Sequence, residues 1–177
     1  FERVIYWIEK IRNRKNIIVS ALPTITKESL SRIDELLETY ISLGFKNIFI
    51  RSLSPFGSAT DNWDNIGYSA SEFSLFYENI LDKIISYNTD EIVVTENYAA
   101  MILEKILNKT AVNFMDLRSP CGAGIGQIAY NWDGNIYTCD EGRMLSVEGD
   151  QTFKIGNISE DNYRSCMQNK NLEYVLS

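Results

Sequence analysis

Two kinds of pattern alternate along the first 110 residues of the chain. One repeats apolar residues every three or four positions, as in an amphipathic helix, and it covers residues 4–11, 30–41, 73–85 and 99–107. The other is a short apolar run, which is typical of a buried strand, and it covers residues 17–22, 47–51 and 91–95. Strands that alternate with such helices predict right-handed βαβ units and a parallel sheet.

Local signals mark where these elements begin and end. Ser69 and Glu72 have the spacing of a capping box and predict the start of the third helix. Thr26 is predicted to cap the second helix, and Gly44 to end it in a left-handed conformation. Pro23 lacks an amide hydrogen, so we expect it to stop the first strand.

The composition changes near residue 111, where glycines become frequent and the predicted strands become short. A strand is predicted near residues 153–155, and a final helix from about Asp161. We therefore predict two domains, residues 1–110 and residues 111–177.

A β-hairpin is the clearest feature of the second domain. Asp133-Gly134 lies between apolar and aromatic residues, which predicts a two-residue turn. The predicted facing pairs are Trp132 with Asn135, Tyr130 with Tyr137, and Ile128 with Cys139. Small residues at 122–126 allow the backbone to reverse, so that Cys121 returns to the same end as Cys139.

The two cysteines at this end have three interpretations. Cys121 and Cys139 can bind a metal or an iron–sulfur cluster, form a disulfide, or remain as two free thiols. Two cysteines alone are weak evidence for a cluster, because such a site needs about four ligands. Cys166 is predicted to lie on a helix, where it is more typical of a packed thiol than of a ligand.

The spacing of Cys121, Gly134 and Cys139 resembles the opening of the SPASM domain. That domain is an auxiliary iron–sulfur module of many radical S-adenosylmethionine (radical SAM) enzymes that modify peptides. Further segments are similar to the B-type maturase family of the His-Xaa-Ser peptide system; they are residues 49–57, 116–124, 133–145 and 153–158. The resemblance runs from end to end of the chain.

The resemblance implies an α/β fold made of the C-terminal part of a partial (β/α)6 TIM-like radical SAM barrel, followed by a truncated SPASM-like module of a β-hairpin and a helix. The chain lacks the Cys-x3-Cys-x2-Cys loop that holds the catalytic cluster in this family. We therefore expect a fragment that is inactive alone, whose gene continues upstream into that loop and downstream into further cysteines.

For the complete enzyme, the resemblance implies post-translational modification of a ribosomally made precursor peptide. Its cofactors would be S-adenosylmethionine and 4Fe–4S clusters, and Cys121 and Cys139 would be cluster ligands. Whether the complete enzyme works with a second, partner maturase is left open.

Polar residues at the predicted strand ends are the candidates for cofactor binding, because ligands of parallel βα folds lie beyond the carboxyl ends of the strands. These residues are Ser20, Thr24, Arg51, Ser52 and Ser54. By the resemblance, Arg51 would bind the carboxylate or ribose of S-adenosylmethionine, or a substrate carboxylate. The alternative is an arginine that pairs with a carboxylate of the protein.

Two other classes of function compete with this interpretation. A binding module without catalysis would recognise a peptide by adding it to an open sheet edge. A barrel hydrolase would use carboxylates that follow strands, such as Glu96 and Asp116. Detection of a bound iron–sulfur cluster would distinguish the radical SAM enzyme from both of these alternatives.

Composition narrows these classes. The net charge of −7 argues against a surface for nucleic acid or anionic membrane, since phosphate affinity needs clustered lysine and arginine. The chain has no histidine, which removes catalytic triads and histidine-containing metal sites. Three cysteines favour a reducing compartment, so we expect a cytoplasmic protein.

Overall fold

The computed structural model of the protein describes residues 2–14, 16–89, 92–109 and 114–177. The chain divides into two compact units. The first comprises Phe1–Pro55 and Asp61–Asn108, and the second comprises Phe56–Thr60 and Lys109–Ser177. The boundary predicted between residues 110 and 111 lies outside the described residues, so it stays a prediction.

Helices follow the predicted periodicity in the first unit. They are α1 (Glu2–Arg12), α2 (Ile33–Ser42), α3 (Trp63–Ile66), α4 (Ala70–Tyr87) and α5 (Asn97–Asn108). The exception is α3, since no helix was predicted at 63–66. The predicted capping box is confirmed: the Ser69 hydroxyl accepts from the N–H of Glu72, and the Glu72 carboxylate accepts from the N–H of Ser69. Gly44 follows α2 with φ of 74°, as predicted. The prediction that Thr26 caps the second helix is wrong: residues Glu28–Ser31 form a separate 3-10 helix, and α2 begins at Ile33 after Arg32 without a side-chain cap.

A small parallel sheet runs through the first unit. Strands β1 (Asn47–Ile48) and β2 (Thr95–Glu96) pair in parallel. Residues 19–25, called here the first segment, pair in parallel with the other side of β1 through isolated bridges from Ala21 to Ile48 and from Thr24 to Arg51. The predicted parallel pairing of these two runs is therefore confirmed. Part of the predicted run 91–95 falls on Glu91, which lies outside the described residues.

The prediction that Pro23 stops the first segment is wrong. Pro23 is buried, and its carbonyl accepts the N–H of Arg51 at 2.9 Å, while the N–H of Ile25 donates to the carbonyl of Arg51. Proline removes one donor from the ladder, which leaves separate bridges in place of a regular strand. The pairing nevertheless continues to Ile25.

The core of the first unit lies on one face of this sheet. Ile25, Ile48 and Ile50 pack there with residues of α2 and α4 such as Leu37 and Ile80. The prediction of a buried strand at 17–22 is wrong for its first two residues, because Ile17 and Ile18 are exposed. Buried and exposed residues alternate only after them.

The second unit is built on an antiparallel sheet in the order β3 (Ala129–Tyr130), β4 (Asn135–Tyr137) and β5 (Lys154–Asn157). Three helices accompany it; they are α6 (Asp140–Val147), α7 (Tyr163–Met167) and α8 (Lys170–Leu176). The charged residues at 140–143 form the first turn of α6. No helix in the described part of the chain has the length and apolar character needed to cross a membrane.

The hairpin exists as predicted, but its predicted register is wrong by one residue. Tyr130 faces Ile136 and Ala129 faces Tyr137. The loop contains three residues, because the N–H of Asn131 donates to the carbonyl of Asn135 and Gly134 adopts φ of 84°. A turn of this kind ends in a left-handed glycine bulge, which shifts every facing pair by one position.

Candidate functional site

Alternation along the first segment separates a buried face from an exposed one. Ala21, Pro23 and Ile25 are buried, whereas Ser20 and Thr24 are exposed on the opposite face. This face points away from the core that α2 and α4 cover. Thr24 lies at the carboxyl end of this pairing, which is where ligands of parallel βα folds bind.

Arg51 lies beside Thr24 at the end of this pairing. The backbone bridge places the two residues opposite each other, and the Arg51 side chain is exposed. None of the ion pairs formed by the described residues involves Arg51. The alternative interpretation, an arginine engaged with a carboxylate of this unit, therefore receives no support from the described residues.

The structure does not gather all the predicted cofactor residues. Ser20 lies four residues before Thr24, about 13 Å back along an extended strand, so it is not at the carboxyl end with Arg51. Ser52 and Ser54 are exposed in the loop that follows Arg51. Thr24, Arg51 and Ser52 thus form the compact part of the candidate site.

Two hydrogen bonds of the Tyr68 hydroxyl hold the loop that follows Arg51. The hydroxyl accepts the N–H of Leu53 at 2.7 Å and donates to the carbonyl of Ile25 at 3.0 Å. The ring stacks on Phe73 with 5.7 Å between centroids, and burial raises the pKa of the phenol. These contacts give Tyr68 a packing role beside the candidate site.

Glu96 is a buried carboxylate on the opposite face of the sheet. It is 4% exposed, and it accepts hydrogen bonds from the N–H of Ile50 at 3.0 Å, the N–H of Ala99 at 2.6 Å and the hydroxyl of Tyr77. These donors compensate the carboxylate for its lost hydration. Burial and the neighbouring Glu96 raise the pKa of Tyr77 far above its ordinary value, which keeps the phenol protonated as a donor.

This placement removes the support for a hydrolase. The carboxylate of Glu96 is taken up by structural hydrogen bonds on the core side. Asp116 belongs to the second unit, where it is exposed in the 3-10 turn Met115–Leu117. Sequence reasoning named Glu96 only within the competing hydrolase interpretation and did not find its structural role. Its position one residue before α5 carries no clear sequence signal, because Glu is not among the preferred N-cap residues.

Cys139 occupies the corresponding position before α6 in the second unit. Its Sγ accepts the N–H of Gly142 at 3.2 Å, so the sulfur caps the helix. Burial raises the pKa of the Cys139 thiol, and the hydrogen bond from Gly142 opposes that rise. Backbone N–H groups directed at sulfur are a feature of iron–sulfur sites, so this geometry fits a ligand thiolate.

The glycine-rich loop lies against the strand that leads to Cys139. Gly124, with φ of 74°, donates its N–H to the carbonyl of Thr138 at 2.7 Å and is also within 3.0 Å of the carbonyl of Gln127. The loop thus reaches the residue next to Cys139, although the predicted facing of Ile128 and Cys139 is wrong. The shared site of Cys121 and Cys139 stays a prediction that rests on the path of this loop.

The three cysteines are free thiols with different surroundings. Cys121 is exposed, Cys139 is buried, and Cys166 is buried in the small core with Ile136 and Ile155. This environment agrees with the packed thiol predicted for Cys166. In the described part of the chain, no three side chains of the usual ligand types are grouped closely enough to hold a metal ion. The second unit therefore supplies two candidate ligands, not a complete ligand set.

No protein-family model matches the sequence, and no curated protein matches it. Solved structures of anSMEcpe with bound AdoMet (S-adenosylmethionine) do match. A histidine-tagged form has a TM-score of 0.70 and 17% identity, over 98% of this chain and 44% of that chain. The native form has a TM-score of 0.68 and 20% identity over the same shares.

A third structure contains both AdoMet and a peptide. This native anSMEcpe with the Kp18Cys peptide has a TM-score of 0.66 and 17% identity, again over 98% of this chain and 44% of that chain. The chain thus spans less than half the length of the solved chains that it matches. At these identities the likeness establishes the fold: this chain shares its mixed α/β architecture with part of anSMEcpe.

Proposed function

We propose that this chain is part of a radical SAM enzyme that modifies a ribosomally made peptide. The observation that carries the proposal is the match of 98% of the chain to structures that hold AdoMet. This match supports the radical SAM and SPASM class that the sequence motifs resemble. The finer assignment to the His-Xaa-Ser branch depends on those motifs alone, at residues 49–57, 116–124, 133–145 and 153–158.

A peptide substrate follows from the same comparison. Two of the matching structures contain a peptide beside AdoMet, named Kp18Cys in one and Cp18Cys in the other. The exposed strand end that carries Thr24 and Arg51 is the kind of position at which ligands of parallel βα folds bind. The non-catalytic peptide-binding module remains the competing interpretation.

In this proposal Arg51 binds the cofactor. Its exposed guanidinium lies at a strand end and forms no ion pair with a carboxylate among the described residues, and it can donate paired hydrogen bonds to a ligand carboxylate. Thr24 and Ser52 add hydroxyl groups nearby, and Ser20 lines the same face further from the strand end. When bound, the cofactor supplies radical chemistry, and these residues bind and orient it.

Cys121 and Cys139 are proposed as two ligands of an auxiliary 4Fe–4S cluster. The hydrogen bond from Gly142 to the Cys139 sulfur and the close approach of Gly124 to Thr138 support this role. A cluster of this type needs about four ligands, so the remaining ones must come from elsewhere.

The test is cofactor cleavage by the full-length protein that contains this chain. Purified without oxygen and reconstituted with iron and sulfide, it should convert S-adenosylmethionine to 5′-deoxyadenosine when a reductant is added. Arg51→Ala should weaken S-adenosylmethionine binding by about tenfold or more, since a charge-assisted pair contributes about 1.5–3 kcal/mol.

Two matched samples make the result interpretable. Arg14→Ala removes an exposed arginine just after α1, away from the candidate site, and should bind the cofactor as the unaltered protein does. This chain alone should be inactive, because it lacks the Cys-x3-Cys-x2-Cys loop. Peptide binding by a full-length protein that holds no cluster and cleaves no S-adenosylmethionine would establish the binding module instead.

A further inference from the structure

The hydrogen bonds around Glu96 compensate for an interruption in the sheet. β1 and β2 pair as far as Ile48 and Glu96, and α5 begins at Asn97. In a continued parallel ladder, the N–H of Ile50 would donate to backbone beyond Glu96, but that backbone has turned into the helix. The carboxylate of Glu96 accepts this N–H instead, at 3.0 Å.

The same strand end is held from its other side by the first segment. The N–H of Arg51 donates to Pro23, and the carbonyl of Arg51 accepts from Ile25, both at 2.9 Å. The first segment thus holds residues 50 and 51 from one side, and the hydrogen bond from Ile50 to Glu96 holds them from the other. Because successive strand residues point to opposite faces, fixing Ile50 in the core directs the Arg51 side chain onto the exposed face.

Glu96 is itself held rigidly. Its carboxylate also accepts the N–H of Ala99, which caps α5, and the hydroxyl of Tyr77 on α4. Three donors from three elements leave a 4% exposed side chain little freedom to move. Capping α5 alone would not require Glu, because the shorter side chain of Asp at this position can accept the same N–H. The length of Glu is needed for the contact with Ile50.

We propose that Glu96 is a positioning residue that holds the carboxyl end of β1 so that Arg51 presents its guanidinium to the carboxylate of S-adenosylmethionine. The inference rests on the proposed cofactor role of Arg51. It adds a residue on the opposite face of the sheet, which touches no ligand and acts through one hydrogen bond to the backbone.

Glu96→Asp is the informative variant, because it retains a cap for α5 and a negative charge but withdraws the carboxylate from Ile50. Tyr77→Phe is the matched control, because it removes a hydrogen bond from the same carboxylate and leaves the contact with Ile50 intact. Both are made in the full-length protein with its clusters. Affinity for S-adenosylmethionine is measured by calorimetry, and amide hydrogen exchange of residues 48–53 by mass spectrometry without ligand.

Glu96→Asp should weaken S-adenosylmethionine binding about tenfold and speed exchange in residues 48–53 by a similar factor, as expected for the loss of one hydrogen bond to a charged group. Tyr77→Phe should change the affinity by no more than about twofold, and it should speed exchange in residues 48–53 no more than in the rest of the first unit, because it lowers stability without releasing Ile50. In the Arg51→Ala background, Glu96→Asp should weaken binding no further, because the two residues act in series.

The failures are distinct. If Arg51→Ala weakens binding while Glu96→Asp binds normally, or if the two effects add, the positioning role is wrong and the proposed function stands. If Arg51→Ala binds normally, the cofactor role of Arg51 fails, and the positioning role fails with it. Should Glu96→Asp not fold, hydrogen exchange of the unaltered protein is the second measurement: peptides that contain Ile50 should exchange more slowly than peptides of the exposed loop at 52–54, and equally fast exchange would exclude the positioning contact.

Discussion

In the first unit, hydrogen bonds to side chains hold the strand end that carries Arg51. In the second unit, hydrogen bonds between backbone groups hold the loop that carries Cys121. Glu96 and Tyr68 bind backbone of the first unit through a carboxylate and a phenol. Gly124 binds Thr138 backbone to backbone, in a conformation that favours glycine. The same requirement, a fixed polar site, is met by two different kinds of contact.

The size of the two cores explains the difference. Among the described residues, ten buried hydrophobic side chains form the core of the first unit, and four form that of the second. A large core can enclose a carboxylate with its donors, because apolar burial offsets the cost of desolvation. In the smaller second unit, a close backbone approach through glycine holds the Cys121 loop instead.

Gly124→Ala should have the largest effect on stability. An added Cβ would lie 2.2 Å from Cδ1 of Leu172, and φ of 74° disfavours any side chain. Backbone strain of about 1 kcal/mol and overpacking of about 1–3 kcal/mol predict a loss of about 2–4 kcal/mol in the free energy of unfolding. Urea denaturation of the purified protein measures it.

Gly149→Ala is the control for that variant. Gly149 also has positive φ, of 99°, but an added Cβ would meet nothing within 4 Å. It should therefore cost only the backbone strain, about 1 kcal/mol. Equal losses in the two variants would show that close packing on Leu172 does not stabilise the loop.

Tyr77→Phe tests the side-chain network of the first unit. Losing a hydrogen bond to a buried carboxylate should lower the free energy of unfolding by about 1–2 kcal/mol at neutral pH. The pKa of Tyr77 is raised in the folded state, so the unfolded chain loses this proton first, at about pH 10. Stability should consequently fall as pH rises above about 10, and less steeply in the variant.

Urea denaturation between about pH 8 and pH 11 shows the difference in slope. Tyr6→Phe is the control, because Tyr6 is an exposed residue of α1. Parallel pH profiles for Tyr77→Phe and the unaltered protein would contradict the raised pKa that burial and the contact with Glu96 give Tyr77.

Cys139→Ala should have a smaller effect on stability and a specific effect on iron. Loss of the cap on α6 should cost about 0.5–1 kcal/mol. In the full-length protein reconstituted without oxygen, combining it with Cys121→Ala should remove the auxiliary cluster's share of iron and retain the catalytic cluster's share. Iron analysis measures this, with Cys166→Ala as the control that should keep all the iron. Unchanged iron in the double variant would exclude both ligands.

Lys83→Gln should have the smallest effect. Lys83 forms an ion pair with Asp34 at 2.5 Å, but both side chains are largely exposed. Solvent and salt screen such a pair, so the midpoint of urea denaturation should not change measurably. A clear loss would mean that surface charges, as well as buried networks, stabilise the first unit.

Helix positions were predicted from sequence because their causes are local. The apolar spacing and the Ser69 capping box define α4, and Gly44 ends the α2 region, since these signals act within a few residues. The parallel pairing of β1 with the first segment also followed from sequence, because a strand, helix and strand in succession favour a right-handed crossover.

Contacts between distant residues were decided by the tertiary structure. The hairpin register turned on whether Gly134 ended a loop of two residues or three, and both fit the same sequence. Pairing through Pro23 required its carbonyl to face Arg51 across the sheet. The role of Glu96 required Ile50 and Tyr77, 46 and 19 residues away in sequence, to reach one carboxylate.

The candidate site divides in the same way. The sequence by itself identified Arg51 at a strand end and Cys139 beside a glycine-rich loop, because residue type and local pattern are readable along the chain. Only the tertiary structure separated Ser20 from Arg51 along the sheet and directed the N–H of Gly142 to the Cys139 sulfur. Local patterns specify elements through short-range interactions, whereas packing selects among the several long-range pairings that those elements permit.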